Sequence, residues 1–162
     1  MQLAIRAARA PITAAPAARR AARTAAVLSL GVAWVHLAYV ASHFRVWWAY
    51  GAFFLATGVG QALFAPLVLR RPQPWVALAG IAGNTAIVGM YILSRTTGPP
   101  LGPHARVPEE AGAIDLATTA TEVVIVGVLL ILLGARTRRW VADGLVAGAA
   151  LLWALRATGS LP

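Results

Sequence analysis

The chain has 162 residues, of which 59% are apolar and 12% charged, with a mean hydropathy of +0.72. A soluble domain is about 45–50% apolar and about 25% charged, so this composition points to an integral membrane protein and away from a soluble domain. The charge is lopsided, with 14 arginines, no lysine and five acids giving +9, and the lack of cysteine excludes disulfides, thiolate metal sites, iron–sulfur clusters and thiol nucleophiles.

Residues 1–24 are rich in Ala, Arg and Pro, and are read as a basic, disordered cytoplasmic tail lying against anionic lipid. No aromatic stacking platform accompanies that charge, so nucleic acid is not an expected partner. Five apolar runs follow at Ala25–Phe44, Trp47–Leu69, Trp75–Ser94, Ala113–Gly134 and Trp140–Leu155. Each is near the ~20 residues that a helix needs to cross ~30 Å of hydrocarbon. Helices are expected because lipid offers no partner to an unpaired backbone group. Trp47, Trp48, Trp75 and Trp140 stand at span boundaries as interfacial anchors. The fifth run is the shortest, with Asp143 near one end and Arg156 at the other, and without it the bundle has four spans. Val40-Ala41-Ser42 resembles a signal-peptide cleavage site, but the run before it is long and carries Trp34 and His36, so it is read as a span. The expectation is one all-α, polytopic transmembrane domain over residues 25–155, with a short tail at 156–162.

The arginines set the topology. Arg6, Arg9, Arg19, Arg20, Arg23, Arg70, Arg71, Arg136, Arg138 and Arg139 fall on one side, and Arg45, Arg95, Arg106 and Arg156 on the other. The positive-inside rule then places the N-terminus in the cytoplasm and the segment Arg95–Gly112 outside. That segment is crowded with proline and glycine from Gly98 to Pro103, which makes it stiff and turn-rich. A long ordered loop of this kind is often functional, and a plain linker is the alternative.

Ionisable groups inside spans are costly and mark candidate sites. His36 and His43 are seven residues apart on the first span, nearly on one helical face. Asp115, Thr118, Thr119 and Glu122 form a polar stripe on the fourth, and Asn84 lies in the third. Counted from the outer rim, His36 lies roughly 10 Å deep and Glu122 roughly 13 Å, while His43 and Asp115 lie near the surface. If the first, third and fourth helices are neighbours, these groups converge on an outward-facing pocket. Asn84 would orient them, and Arg95, His104, Glu109 and Glu110 would close its mouth. His36, His43, Asp115 and Glu122 suit a divalent metal such as zinc, manganese, iron or copper. Haem fits less well, because two histidines on one helix cannot clasp it from opposite faces. The plain alternative is that the His and carboxylate groups only dock helices.

No Gly-x-Ser-x-Gly elbow, phosphate-cradling loop or His-Glu-x-x-His motif occurs, and Ser42 beside His43 does not make a triad, so no enzymatic activity is read from the chain. Gly144 and Gly148 form a Gly-x-x-x-Gly seam suited to self-association or to assembly in a larger membrane complex. Pro66 is expected to kink the second helix.

Several of these residues also carry a resemblance. They are His36…His43-Phe44…Trp48-x-Tyr50-Gly51-x-Phe53-Phe54 with Gln61, Gly83-Asn84, Ser94-Arg95-Thr96-x-Gly98-x-Pro100-x-Gly102-Pro103, Pro108-Glu109 and Asp115…Glu122. Over Ala33–Val123 the chain resembles a group of small multi-span membrane proteins of high-GC bacteria. In that group an acidic residue often precedes the second histidine, where Ser42 stands here. The resemblance implies the fold and carries no activity over. The leading expectation is a membrane protein with an outward-facing His/carboxylate pocket that binds a metal ion or small ligand, as an accessory subunit or sensor. A small transporter or channel is the second reading and a structural subunit the third.

Overall fold

A computed structural model describes residues 16–158. It contains five helices, α1 (Pro16–Val46), α2 (Trp48–Arg70), α3 (Pro74–Thr96), α4 (Ala113–Leu130) and α5 (Ala135–Ala157), and no strand among the described residues. All five are long and apolar enough to cross a membrane. The chain is an all-α, polytopic helical bundle.

Local chemistry sets the helix ends. Trp47 alone separates α1 from α2; its extended backbone ends one helix, and its carbonyl accepts from Tyr50 and Gly51 to start the next. Pro74 opens α3, where a missing N–H costs nothing. Asp115 reaches back to the Gly112 N–H at 3.1 Å, giving α4 both a cap and a negative charge at its positive end. α2 continues through Pro66 to Arg70.

The helices are held by small residues at the contacts, the usual solution where no hydrophobic drive separates helix from lipid. α1 buries an unbroken stripe of Ala21, Ala22, Ala25, Ala26, Ser29, Val32, Ala33 and His36. α2 answers with Gly51, Gly58 and Ala65 at intervals of seven. α1 packs on α2 and α4, and α3 packs on α4 and more lightly on α2, so α1 and α3 lie diagonally across a four-helix ring. One end of that ring is a closed apolar core, with Val68, Val76, Ala77, Ile125 and Leu129 wholly buried.

Two expectations change. Residues 16–24 are not a disordered tail: α1 begins at Pro16, and Ala21 and Ala22 are buried in the core cluster. At 31 residues α1 is roughly 46 Å long, and its basic first turns stand beyond what the hydrocarbon needs. Residues 1–15 and 159–162 lie outside the described residues, and with them Arg6, Arg9 and most of the expected C-terminal tail. Second, α1 and α3 are not neighbours, which redirects Asn84. Within the described chain α5 buries no residue and leans only lightly on α4, and both Gly144 and Gly148 face open space.

Close approach at α2 is testable. A Cβ on Gly58 would sit 2.7 Å from Leu37 Cγ and 3.3 Å from the Ala33 carbonyl oxygen, whereas one on Gly60 meets nothing within 4 Å. Gly58→Ala and Gly60→Ala gain the same helix propensity, so their difference isolates the contact. Gly58→Ala is expected to be less stable than Gly60→Ala by about 1–3 kcal/mol in detergent unfolding.

Candidate functional site

At the other end of the bundle the helices part around a cavity of about 670 Å³, within the roughly 300–1,000 Å³ span of small-molecule sites. It lies between the halves of α1 to α4 nearer the Trp47 turn, and the α3–α4 loop forms part of its wall.

His36 and Glu122 meet deep in this wall. His36 Nε2 lies 3.0 Å from Glu122 Oε1, with the side chains 8% and 1% exposed. With Glu122 ionised, the imidazole N–H donates to the carboxylate and links α1 to α4. His36 Nδ1 is buried without a hydrogen-bond partner, and the edge contact with Phe54 at 5.4 Å supplies none.

His43 and Asp115, expected to form an outer pair, are engaged elsewhere. The His43 ring stacks on Phe54 with centroids 3.5 Å apart. Its Nδ1–H donates to the Tyr39 carbonyl at 2.8 Å, which leaves the lone pair on Nε2 in the neutral ring. Asp115 Oδ2 accepts from Arg95 Nη2 at 2.9 Å as well as from the Gly112 N–H. Arg95 also pairs through Nη1 with Glu109 and lies over the Tyr91 ring, 5.0 Å from its centroid. One guanidinium thus ties α3 to α4 and to the loop.

Asn84 departs furthest from expectation. It lies outside the cavity wall; its amide nitrogen donates to the Gly80 carbonyl at 2.8 Å, and its oxygen accepts from Gln61 Nε2 at 2.9 Å. It therefore pairs α3 with α2 and orients neither histidine nor carboxylate. By residue count Gln61 and Asn84 lie about one helical turn deeper than His36 and Glu122, so two polar links cross the ring at successive depths.

The loop is folded onto the site. Gly98 and Gly102 adopt φ of +84° and +96°, and Arg106 adopts +62°, a region that costs an ordinary residue roughly 1–2 kcal/mol. A Cβ on Gly98 would lie 2.6 Å from the Arg106 carbonyl carbon, so the close approach also requires glycine. Arg106 N–H donates to Pro99 O and Glu109 N–H to Ser94 O, each at 3.0 Å. Tyr50 Oη–H donates to the Leu101 carbonyl at 2.8 Å, anchoring the loop to α2. His104 and Glu110 are exposed and line the cavity from this segment.

The four expected metal ligands do not form a ligand set. Among the described residues no group of three or more His, Asp or Glu is placed to hold a metal ion. Asp115 is taken by Arg95 and its own cap, and His43 by its own turn and Phe54, which leaves the single His36–Glu122 pair. Nor is there a nucleophile–base pair at Ser42, whose hydroxyl donates to the Tyr39 carbonyl at 2.7 Å.

What the site has instead is aromatic. Tyr39, Trp47, Tyr50, Phe53, Phe54 and Tyr91 line it. The sequence marked Trp47 as an interfacial anchor and Tyr50, Phe53 and Phe54 only within the resemblance, and did not single out Tyr39 or Tyr91. The available signal was spacing: Tyr50, Phe53 and Phe54 share a face of α2, and Tyr39 falls between His36 and His43 on the inward face of α1. No family model, curated protein or solved structure matches the chain.

Proposed function

We propose that this is a multi-pass protein of the bacterial cytoplasmic membrane, N-terminus inside, that binds a small ligand in a pocket open to the outer face. It serves as an accessory subunit or sensor. The observation that carries the reading is a cavity of ligand size with a folded loop over it and a sealed apolar core beneath it. A buried histidine and carboxylate stand in its wall, and groups so placed inside a span are costly unless they serve a purpose or pair. A channel or transporter of the same shape would need polar groups to continue below Gln61 and Asn84. That depth is held by Val68, Val76, Ile125 and Leu129, all wholly buried.

Thermal unfolding of the full chain in detergent against a chemically diverse small-molecule library tests the reading. A ligand that binds the folded form stabilises it by RT ln(1 + [L]/Kd). Stabilising compounds are expected whose effect is lost in Thr119→Trp, which fills the cavity, and kept in Gly148→Ala on α5. Stabilisers indifferent to Thr119→Trp, or none at all, would contradict the proposal.

A further inference from the structure

The charge of the cavity is opposite to that of the chain. The protein carries 14 arginines against five acids. Yet four of those acids, Glu109, Glu110, Asp115 and Glu122, line the cavity, and among the described residues Arg95 is the one arginine that does. The three carboxylates towards the mouth, Glu109, Glu110 and Asp115, therefore outnumber the one guanidinium, and Glu122 adds a fourth carboxyl group paired with His36. Arg95 offsets only one of its two carboxylates. Glu122 faces an imidazole, and Glu110 stands exposed at the mouth.

A negative potential held between low-dielectric walls attracts cations and concentrates them. An inorganic ion would need a ring of oxygen or nitrogen ligands, which the described residues do not assemble. The wall also carries six Tyr, Trp and Phe side chains, and the ring face attracts a cation with an apolar shell, the mode by which quaternary ammonium groups are recognised. The protein already seats one cation in this way: the Arg95 guanidinium lies over Tyr91 while its nitrogens contact Glu109 and Asp115. The unpartnered Nδ1 of His36, in a side chain 8% exposed, adds an unmet polar atom in the same wall.

Resting on the pocket reading above, we infer that the ligand is a small organic cation, a substituted ammonium with an apolar or aromatic body. The ammonium group sits among the aromatic rings near the carboxylates of the mouth, and the apolar body fills the volume towards Phe54 and His36. A volume of about 670 Å³ admits a molecule far larger than a bare ion, which agrees with an apolar body as part of what is recognised.

Three probes of nearly one shape separate charge from shape: benzyltrimethylammonium, its neutral carbon isostere neopentylbenzene, and the anion benzylsulfonate. Equilibrium dialysis uses the full-length protein in nanodiscs of zwitterionic lipid, with protein-free nanodiscs subtracted. The cation is expected to bind about tenfold tighter than the neutral isostere, with no binding of the anion. Its affinity should fall about threefold in Glu110→Gln and be lost in Thr119→Trp. Equal or tighter binding of the neutral or anionic probe, abolished by Thr119→Trp, would overturn the charge assignment and leave the pocket standing. Binding of none of the three would also overturn it, and the library screen then reads whether the pocket falls with it. Cation binding unchanged in Thr119→Trp would place the cation elsewhere and overturn the inference.

Discussion

His36→Ala is expected to destabilise the protein by about 3 kcal/mol, because it leaves the Glu122 carboxylate buried without its partner. Glu122 is 1% exposed and reaches His36 alone at 3.0 Å. Glu122→Ala is expected to cost somewhat less, about 2 kcal/mol, since a neutral imidazole tolerates isolation better than a carboxylate. The two losses should not add. Polar pairs between membrane helices couple by about 0.6 kcal/mol on average and about 1.7 at most, so the double alanine variant is expected to lose about 3.3–4.4 kcal/mol, less than the sum of about 5. Replacing both by leucine, which restores apolar volume, is expected to return most of the stability. Denaturant unfolding of the four proteins checks this. Strict additivity, or a double leucine variant as unstable as either alanine variant, would show that the pair is not what joins α1 to α4 at this depth.

Arg95→Ala is expected to release the loop without unfolding the bundle. The guanidinium is 18% exposed, and its partners Glu109 and Asp115 are 38% and 44% exposed, so solvent holds each pair to no more than about 1 kcal/mol. Losing both, and leaving two carboxylates to face one another, should raise the opening of the loop about tenfold, equivalent to about 1.4 kcal/mol. Limited proteolysis within residues 97–112 reads that opening. Arg95→Lys should fall between, since an ammonium cannot reproduce two directed contacts and the ring stacking at once. The difference between wild type and Arg95→Ala should shrink in high salt. An unchanged cleavage rate would mean that Tyr50 and the Gly98 turn hold the loop by themselves.

Depth was legible in the chain, and neighbourhood was not. A helix rises by a fixed 1.5 Å per residue, so counting from the rim placed His36 and Glu122 in one layer, where they meet. Rotation about the axis and the order of the ring follow from packing. Asn84 lies about a turn deeper and on the face that meets α2, and its partner is Gln61. Asp115 shares a layer with His43, yet Arg95 at the same level carries a permanent charge and takes it. The start of α1 left a readable trace, because Ala21 and Ala22 continue the stripe of Ala25, Ala26 and Ser29. The arginines on the opposite face lowered the hydropathy there and hid the period. The existence of five helices was legible, because in lipid length and apolarity together leave one solution. α2 and α3 match within two residues at each end, whereas α1 and α5 start nine and five residues earlier and α4 ends four residues earlier than expected.

The absence of cysteine allows single cysteines to be introduced at chosen depths without background. The most direct measurement is the reaction of such variants with a membrane-impermeant thiol reagent, in intact cells and in inverted vesicles. Thr118→Cys and Thr119→Cys, in the cavity wall, are predicted to react from the outside only, and Val68→Cys and Leu129→Cys, in the apolar core, from neither side. Reaction at Leu129→Cys, or reaction of Thr119→Cys from the inner side, would contradict a pocket that opens outward and ends blind.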